Sequence, residues 1–504
     1  MLKTRISSAK FKKSQFWGIF LRFHIAFLTS LIYCLTASVA SAQVLNNKNS
    51  LPEIGVVAAN TLSLDEEVAI GNIFYSQLRG QAGVLQDPVV NQYVQSLGNE
   101  MVIHAENTKF PFTFFVINNS AINAMAFYGG HVGMHTGLVY HADTEAELAA
   151  VIGHEIAHVT QRHIVRKKQA MEKTSPLQVA SMIGGALLMM ASPQAGLASI
   201  YAGQAGMIQN AINHTRTHER EADRIGMKIL AEAGFDPFAA ASFFSKMLEQ
   251  SRWGSTPPAF LLTHPLSQER VAEARNRAEN LPSQNRPSSM MFHLVKARIH
   301  ARYMYSAQAS LAYFTNASIA KDWPDYAWQY GLALAYMGVE KYAEAQHILE
   351  QLLITAPENF AYLDAMTDTY IGLSQVPKAI QLLAPINQKI PNNPVITLNL
   401  ANSYIENKEW DKATELLKDF LMVHNKSLLG FSLISDAYAR SQSRLNMHQN
   451  KAEMYALMAI YPKAIDELQF AYNFAESYLL KQRIRARITQ FRESQERMQK
   501  LAGS

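Results

Sequence analysis

The chain of 504 residues holds one cysteine, Cys34. A single thiol excludes internal disulfides and cysteine-ligated metal. Because Cys34 falls in a segment that reads as a removable leader, the mature chain is expected to carry no thiol, which suits an oxidising compartment. Charge is also sparse, at 17% Asp, Glu, Lys and Arg, against 48% hydrophobic residues, the balance of a globular protein. No Gly-x-x-x-x-Gly-Lys-Ser/Thr run occurs, which argues against a kinase, helicase or other nucleotide enzyme. The two longest apolar stretches, Ile25 to Val39 and residues 177–191, fall short of the roughly 20 residues that a membrane helix needs.

The first stretch completes a targeting signal. Residues 1–24 contain Lys3, Arg5, Lys10, Lys12, Lys13 and Arg22 and no acid, and Ala40-Ser41-Ala42 follows the apolar core. This order reads as a secretory signal peptide over 1–42, cleaved after Ala42, with an uncleaved anchor as the alternative. Removing those six basic residues turns 46 basic against 41 acidic into 40 against 41, a net charge of −1. The basic character therefore belongs to the leader and is no argument for nucleic acid or an anionic membrane surface.

Helix starts are legible downstream. Ser63-Leu64-Asp65-Glu66 and Thr144-Glu145-Ala146-Glu147 are capping boxes, and Asp87-Pro88 sets a cap before a first-turn proline. The β-formers at 112–117 and the glycine-punctuated run 127–138 predict a small sheet. A long helix is then predicted from Thr144 past His163, and a second over about 206–232, stopped by Gly234. The apolar stretch 177–191 reads as a buried helix or lid, with a peripheral membrane contact as the alternative. The polar run 280–287 marks a domain boundary.

The C-terminal part repeats. Tyr336, Tyr370, Tyr404 and Tyr438 are 34 residues apart, and Ala345, Ala379 and Ala413 share that period, as do Pro357 and Pro391. Tyr455 and Ala464 restore the nine-residue spacing of Tyr to Ala. This is the signature of tetratricopeptide repeats, helix pairs that stack into a superhelix whose concave face binds polypeptides.

The chemistry lies at His154-Glu155-Ile156-Ala157-His158. Residues four apart share a helix face, so both imidazoles reach one ion, while Glu155 sits about 100° round the axis, within reach of water held there. Leu148, Ile152, Ile156 and Val159 give this helix an apolar face. A catalytic zinc site needs a third protein ligand. In Arg216-Thr217-His218-Glu219-Arg220-Glu221-Ala222-Asp223, Glu219 and Asp223 share a face; one carboxylate can bind zinc while the other orients a ligand histidine. Glu221 must point elsewhere. His131 and His135 share a strand face but have no carboxylate motif beside them.

With His154-Glu155-x-x-His158 followed by Glu219-x-x-x-Asp223, the chain resembles the gluzincin peptidases that include the CAAX prenyl protease and HtpX. The resemblance implies one Zn2+ per chain held by His154, His158 and Glu219, with Glu155 as general base and Asp223 supporting His154. Leu51-Pro52-Glu53-Ile54-Gly55, Asn123-Ala124-Met125-Ala126 with Gly129-Gly130, Thr263-His264-Pro265 and the repeats resemble one periplasmic branch, the β-barrel assembly-enhancing proteases. In that branch the residue matching His264 can take zinc's fourth position and keep the enzyme latent; without the resemblance, Thr263-His264-Pro265 reads as a helix start. Unlike HtpX and the prenyl protease, this chain has no mature stretch long enough to span a membrane.

The expected architecture is mainly α: a signal peptide at 1–42, a gluzincin metalloprotease domain with a small sheet at 43–285, a tetratricopeptide α-solenoid at 286–490 and a tail at 491–504. Gly129, Gly130 and His131 are expected at a sheet edge to which substrate adds as a strand. The expected function is periplasmic zinc endopeptidase and chaperone-like quality control of outer-membrane β-barrel assembly. Its expected partners are misassembled outer-membrane polypeptides and, through the repeats, the assembly machinery, with no nucleic acid. The alternative is a latent protease that acts as a repeat-based scaffold.

Overall fold

The sequence signals for helix starts become side-chain hydrogen bonds in the computed structural model, which describes residues 62–172 apart from Ala82, residues 208–253 and residues 257–503. The leader, Leu51–Gly55 and the apolar stretch 177–191 lie outside these residues. At helix α1 (Leu64–Gln81), Ser63 N–H donates to Glu66 Oε2 at 3.0 Å and Glu66 N–H returns to Ser63 Oγ at 3.3 Å. Asp87 caps α2 (Pro88–Ile103), its Oδ1 accepting from Val89 and Val90 N–H.

Three short strands follow: β1 (Thr113–Ile117), β2 (Ala124–Ala126) and β3 (His131–His135), in the order β1-β3-β2. β1 runs parallel to β3 with Thr113 opposite His131; β2 is antiparallel, with Ala124 opposite Met134. This corrects one expectation. The glycine-punctuated strand is the central one, buried along its whole length and hydrogen-bonded on both sides, so His131 is at no edge. Gly129 and Gly130, at φ 69° and 81°, form the turn that leads into it. A Cβ on Gly130 would stand 2.5 Å from the Pro111 carbonyl oxygen, so these glycines serve close packing. The free edge belongs to β2.

Helix α3 (Thr136–His141) leads to α4 (Glu145–Thr160), the helix of the His-Glu-x-x-His motif. It stops earlier than its sequence pattern suggests. Arg162 adopts φ 52°, and α5 (His163–Glu172) starts anew in another direction. The remaining elements of this part are α6 (Ile208–Glu232), α7 (Phe238–Trp253), α8 (Ala259–Thr263) and α9 (Gln268–Glu279). Thr263 therefore ends a helix, and the next begins at the Ser267 cap, so Thr263-His264-Pro265 is a helix exit.

The metal-motif helices meet through glycine. A Cβ on Gly226 of α6 would stand 2.8 Å from His154 N, and one on Gly153 of α4 would stand 2.9 Å from the Gly226 carbonyl oxygen. Only glycine at both positions lets the backbones approach this closely, at a cost of about 1 kcal/mol each in helix propensity. Leu148, Ile152, Ile156 and Val159 are all buried, but so is the rest of α4, which lies in the core on every side.

Contacts cross the polar run 280–287. Arg286 pairs with Glu100 and lies 4.0 Å over the Phe235 ring, while Ser288 and Ser289 hydrogen-bond Glu145. The described residues, all beyond Ala59, make one compact unit. Beyond α10 (Met290–Ile299) the helix pairs stack: Asp325–Gly338 with Tyr342–Thr355, Phe360–Gly372 with Val376–Lys389, Pro394–Glu406 with Trp410–Val423, and Leu428–Arg440 with Arg444–Leu457. Ala345, Ala379 and Ala413 are wholly buried in the second helix of each of the first three pairs.

Each periodic tyrosine closes the first helix of its pair. Lys341, Gln375, Glu409 and Ser443 N–H donate to the carbonyls of Tyr336, Tyr370, Tyr404 and Tyr438 at 2.7–2.9 Å, the long bond of a Schellman cap. The left-handed residues are Glu340, Ser374, Lys408 and Gln442, none of them glycine. The last helix, Tyr478–Gly503, runs through the expected tail and buries Phe491, so residues 491–503 are no separate segment. Among the described residues no helix is long and apolar enough to cross a membrane.

Candidate metal centre

His154 and His158, one turn apart on α4, bring their Nε2 atoms to 3.0 Å. Glu219 reaches in from α6, with Oε2 3.4 Å from His154 Nε2 and Oε1 3.5 Å from His158 Nε2. His264, at the exit of α8, places Nδ1 3.2 Å from His154 Nε2 and 3.2 Å from Glu219 Oε2. One atom from each of the four residues falls within 4.8 Å of the others.

These spacings fit a metal. Ligands about 2.0–2.1 Å from a tetrahedral zinc lie about 3.3 Å from one another. The five contacts above bracket that value. Protons alone cannot satisfy so many converging imidazole nitrogens, because each neutral ring offers only one N–H. Glu155 completes the case. Its carboxylate is wholly buried and neither oxygen has a formed hydrogen bond, although His264 Nε2 stands 3.3 Å from Oε1. A buried carboxylate without partners is costly unless a cation or a held water shares its site.

Outer contacts fix the rings. Asp223 Oδ1 lies 3.0 Å from His154 Nδ1. Arg270 of α9 grips Asp223 through Nε and Nη2 at 2.7 and 2.8 Å, lies 3.1 Å from Glu219 Oε2 through Nη1, and donates to the Pro265 carbonyl. One guanidinium thus ties both carboxylates to the backbone that carries His264. On the other side, His158 Nδ1 is 2.9 Å from His163 Nδ1, and His163 Nε2 is 3.2 Å from Glu221 Oε2. The carboxylate accepts only, so His163 carries its proton on Nε2 and accepts from His158 Nδ1–H. That leaves His158 Nε2 with a free lone pair toward the centre.

Sequence reasoning missed Arg270, His163 and the use of Glu221. His163 lies five residues after His158, off its face on a continuous helix; only the break at Arg162 brings it round. Glu221 does point away from the centre, as its spacing requires, but it points at His163.

Burial lowers the affinity of His154 for a proton, yet the hydrogen bonds it donates to Asp223 and Glu219 outweigh burial and raise its pKa to about 10. Burial, with the neighbouring histidines, pushes His158 well below the usual range. Burial would raise Glu219, but His264 and His154 hold it well below the ordinary carboxylate value. His131 stands elsewhere, stacked on Tyr75 at 5.0 Å and lowered to about 4 by burial and then by Lys426. Neither it nor Gly129 and Gly130 join the cluster.

Support of this kind is typically worth about 10–100-fold in metal affinity. Asp223→Asn should therefore weaken zinc binding by that factor, read by competition with a chromophoric chelator; unchanged affinity would leave Asp223 a purely structural partner of Arg270.

Residues 88–278 match peptidase family M48, and residues 370–430 match a tetratricopeptide repeat. The chain is 39% identical over 477 residues to the β-barrel assembly-enhancing protease of Escherichia coli (strain K12), covering 93% of this chain and 97% of that protein. It is 40% identical to a putative β-barrel assembly-enhancing protease of Vibrio cholerae, over 93% and 98% of the two chains. Mitochondrial metalloendopeptidase OMA1 of Arabidopsis thaliana is 28% identical over 31% of this chain and 29% of its own. The four-residue centre, the trailing repeats and these full-length relatives place the chain among the M48 metalloendopeptidases, in the family of the β-barrel assembly-enhancing proteases.

Proposed function

We propose that the protein is a periplasmic zinc endopeptidase that acts in quality control of outer-membrane β-barrel assembly, with His154, His158 and Glu219 as zinc ligands and Glu155 as general base. The observation that supports this reading most is the fully buried Glu155 carboxylate, with no formed hydrogen bond, beside three converging imidazole nitrogens and a carboxylate oxygen. When bound, zinc supplies polarisation of a peptide carbonyl and lowers the pKa of a water to about 7. Glu155 takes the proton of the attacking water and passes it to the leaving amine. Asp223 and the His163–Glu221 pair hold the two ligand rings in the tautomers that metal binding needs.

His264 occupies the remaining corner of the cluster and faces Glu155 as well. It therefore blocks the open position and the base together, which supports a latent resting state. The expected leader supports periplasmic residence, and the names of the relatives support the clientele. The repeats, packed against the peptidase part, are the surface through which assembly partners are recognised.

The test is metal analysis of the purified mature protein together with casein cleavage, with and without chelator, for the wild type and His264→Ala. One zinc per chain, chelator-sensitive cutting and faster cutting by His264→Ala are expected. A metal-free or chelator-indifferent activity overturns the zinc reading, and equal rates overturn the role of His264.

A further inference from the structure

The segment that carries His264 also reaches the entrance to the free edge of the sheet, just before β2. Along the approach to β2, the Asn123 carbonyl turns inward and accepts from His135 N–H of β3 at 2.9 Å. The preceding carbonyl, of Ile122, goes to a different partner: Phe260 N–H of α8, also at 2.9 Å. A main-chain amide from outside the sheet is thus hydrogen-bonded where an incoming strand would begin to pair.

The side chain that follows this amide is seated beside the centre. Phe260 is 1% exposed. Its ring meets Phe243 of α7 edge-on at 5.6 Å, stacks on His264 at 4.7 Å and lies 6.4 Å from the His154 ring. An amide at the edge, a side chain in an apolar seat and a polar group at the metal corner are the kinds of contact by which an extended polypeptide is held. His264 and Phe260 are stacked on each other, so the seat adjoins the reacting position.

From this we infer that the seat of Phe260, walled by Phe243 and the His154 ring, is a substrate side-chain subsite, and that the enzyme selects polypeptides with an aromatic residue beside the scissile bond. The inference rests on the peptidase reading above and deepens it. Phe260 holds the subsite in the resting chain, and a substrate aromatic replaces it when the segment withdraws. An apolar subsite of this kind discriminates by about 10–200-fold between side chains that fill it and those that do not.

The test uses the zinc-loaded, full mature chain carrying His264→Ala. Its cuts in casein are mapped, and two fluorogenic peptides are made around one cut, identical but for Phe or Ala beside the bond. The Phe peptide should have a kcat/KM at least about tenfold higher. Phe243→Leu, which takes the aromatic ring out of the wall, should lower that ratio, because the seat then grips an aromatic side chain less well. Casein cutting with equal rates on the two peptides, or a ratio indifferent to Phe243→Leu, overturns the subsite and leaves the peptidase reading intact. Failure to cut casein or either peptide, with zinc bound, overturns both.

Discussion

Glu155→Gln is expected to lower kcat/KM for casein by about 10²–10⁴-fold while zinc content stays at that of the wild type. The substitution keeps the volume and one oxygen of the side chain but removes its ability to take a proton. Glu155 is outside the four-atom cluster, so the ligand set is unchanged. Folding should not suffer either. The carboxylate is buried without a formed hydrogen bond, and a neutral amide is less costly to bury than an ion. A variant that is folded, loaded with zinc and inactive assigns the proton transfer to Glu155. A variant that retains wild-type kcat would remove Glu155 from the chemistry, and cleavage would need another base.

The second large effect is on stability. Arg298 of α10 is buried at 2% exposure between the two parts of the chain. Its Nε donates to Asp87 Oδ2 at 2.6 Å, and Nη1 donates to Tyr330 and stands 2.6 Å from Asp364 Oδ2. Asp87 caps α2 of the peptidase part, while Tyr330 and Asp364 belong to the first two repeat pairs. Arg298→Met takes the buried guanidinium from Asp87 and Asp364, which keep only neutral donors in Tyr303, the cap N–H groups and Asn399, and should cost about 3–5 kcal/mol, read as a lower midpoint in denaturant unfolding. A loss below about 1 kcal/mol would mean that water replaces the guanidinium without penalty.

The same cluster sets an acid limit. Burial alone would raise Asp87, but Arg298 and Arg302 outweigh it and depress its pKa in the folded chain. A depressed folded value adds stability above the unfolded pKa of about 3.9, and that stability is lost as pH falls through the folded value. Acid unfolding of the wild type should therefore include a component below about pH 4 that Arg298→Met lacks.

What could be read from the sequence was what depends on spacing. Helical geometry puts His154 with His158, and Glu219 with Asp223, on shared faces, the family resemblance supplies their roles, and the 34-residue period of tyrosine and alanine marks the solenoid. What could not be read depends on contacts between segments remote in the chain. Nothing near Arg270 marks it as the clasp of two carboxylates 47 and 51 residues upstream. The caps after Tyr336, Tyr370, Tyr404 and Tyr438 escaped because their left-handed positions hold Glu, Ser, Lys and Gln in place of the glycine that usually betrays such a turn. Glycine often marks a sheet edge, but beside His131 the glycines instead admit the neighbouring backbone of Pro111 to a central strand.

The glycine contact between α4 and α6 has a mechanical consequence. Gly153 and Gly226 form a fulcrum, and His154 sits on it, while Glu219 lies seven residues out along one arm, about 10 Å away. A scissoring of about 5° leaves His154 in place and carries Glu219 through about 1 Å, enough to spoil a coordination bond. Ion occupancy thus becomes a gauge of the angle between two rods. Any twist of the two rods, even one applied farther along α6, moves the Glu219 carboxylate relative to the two imidazoles.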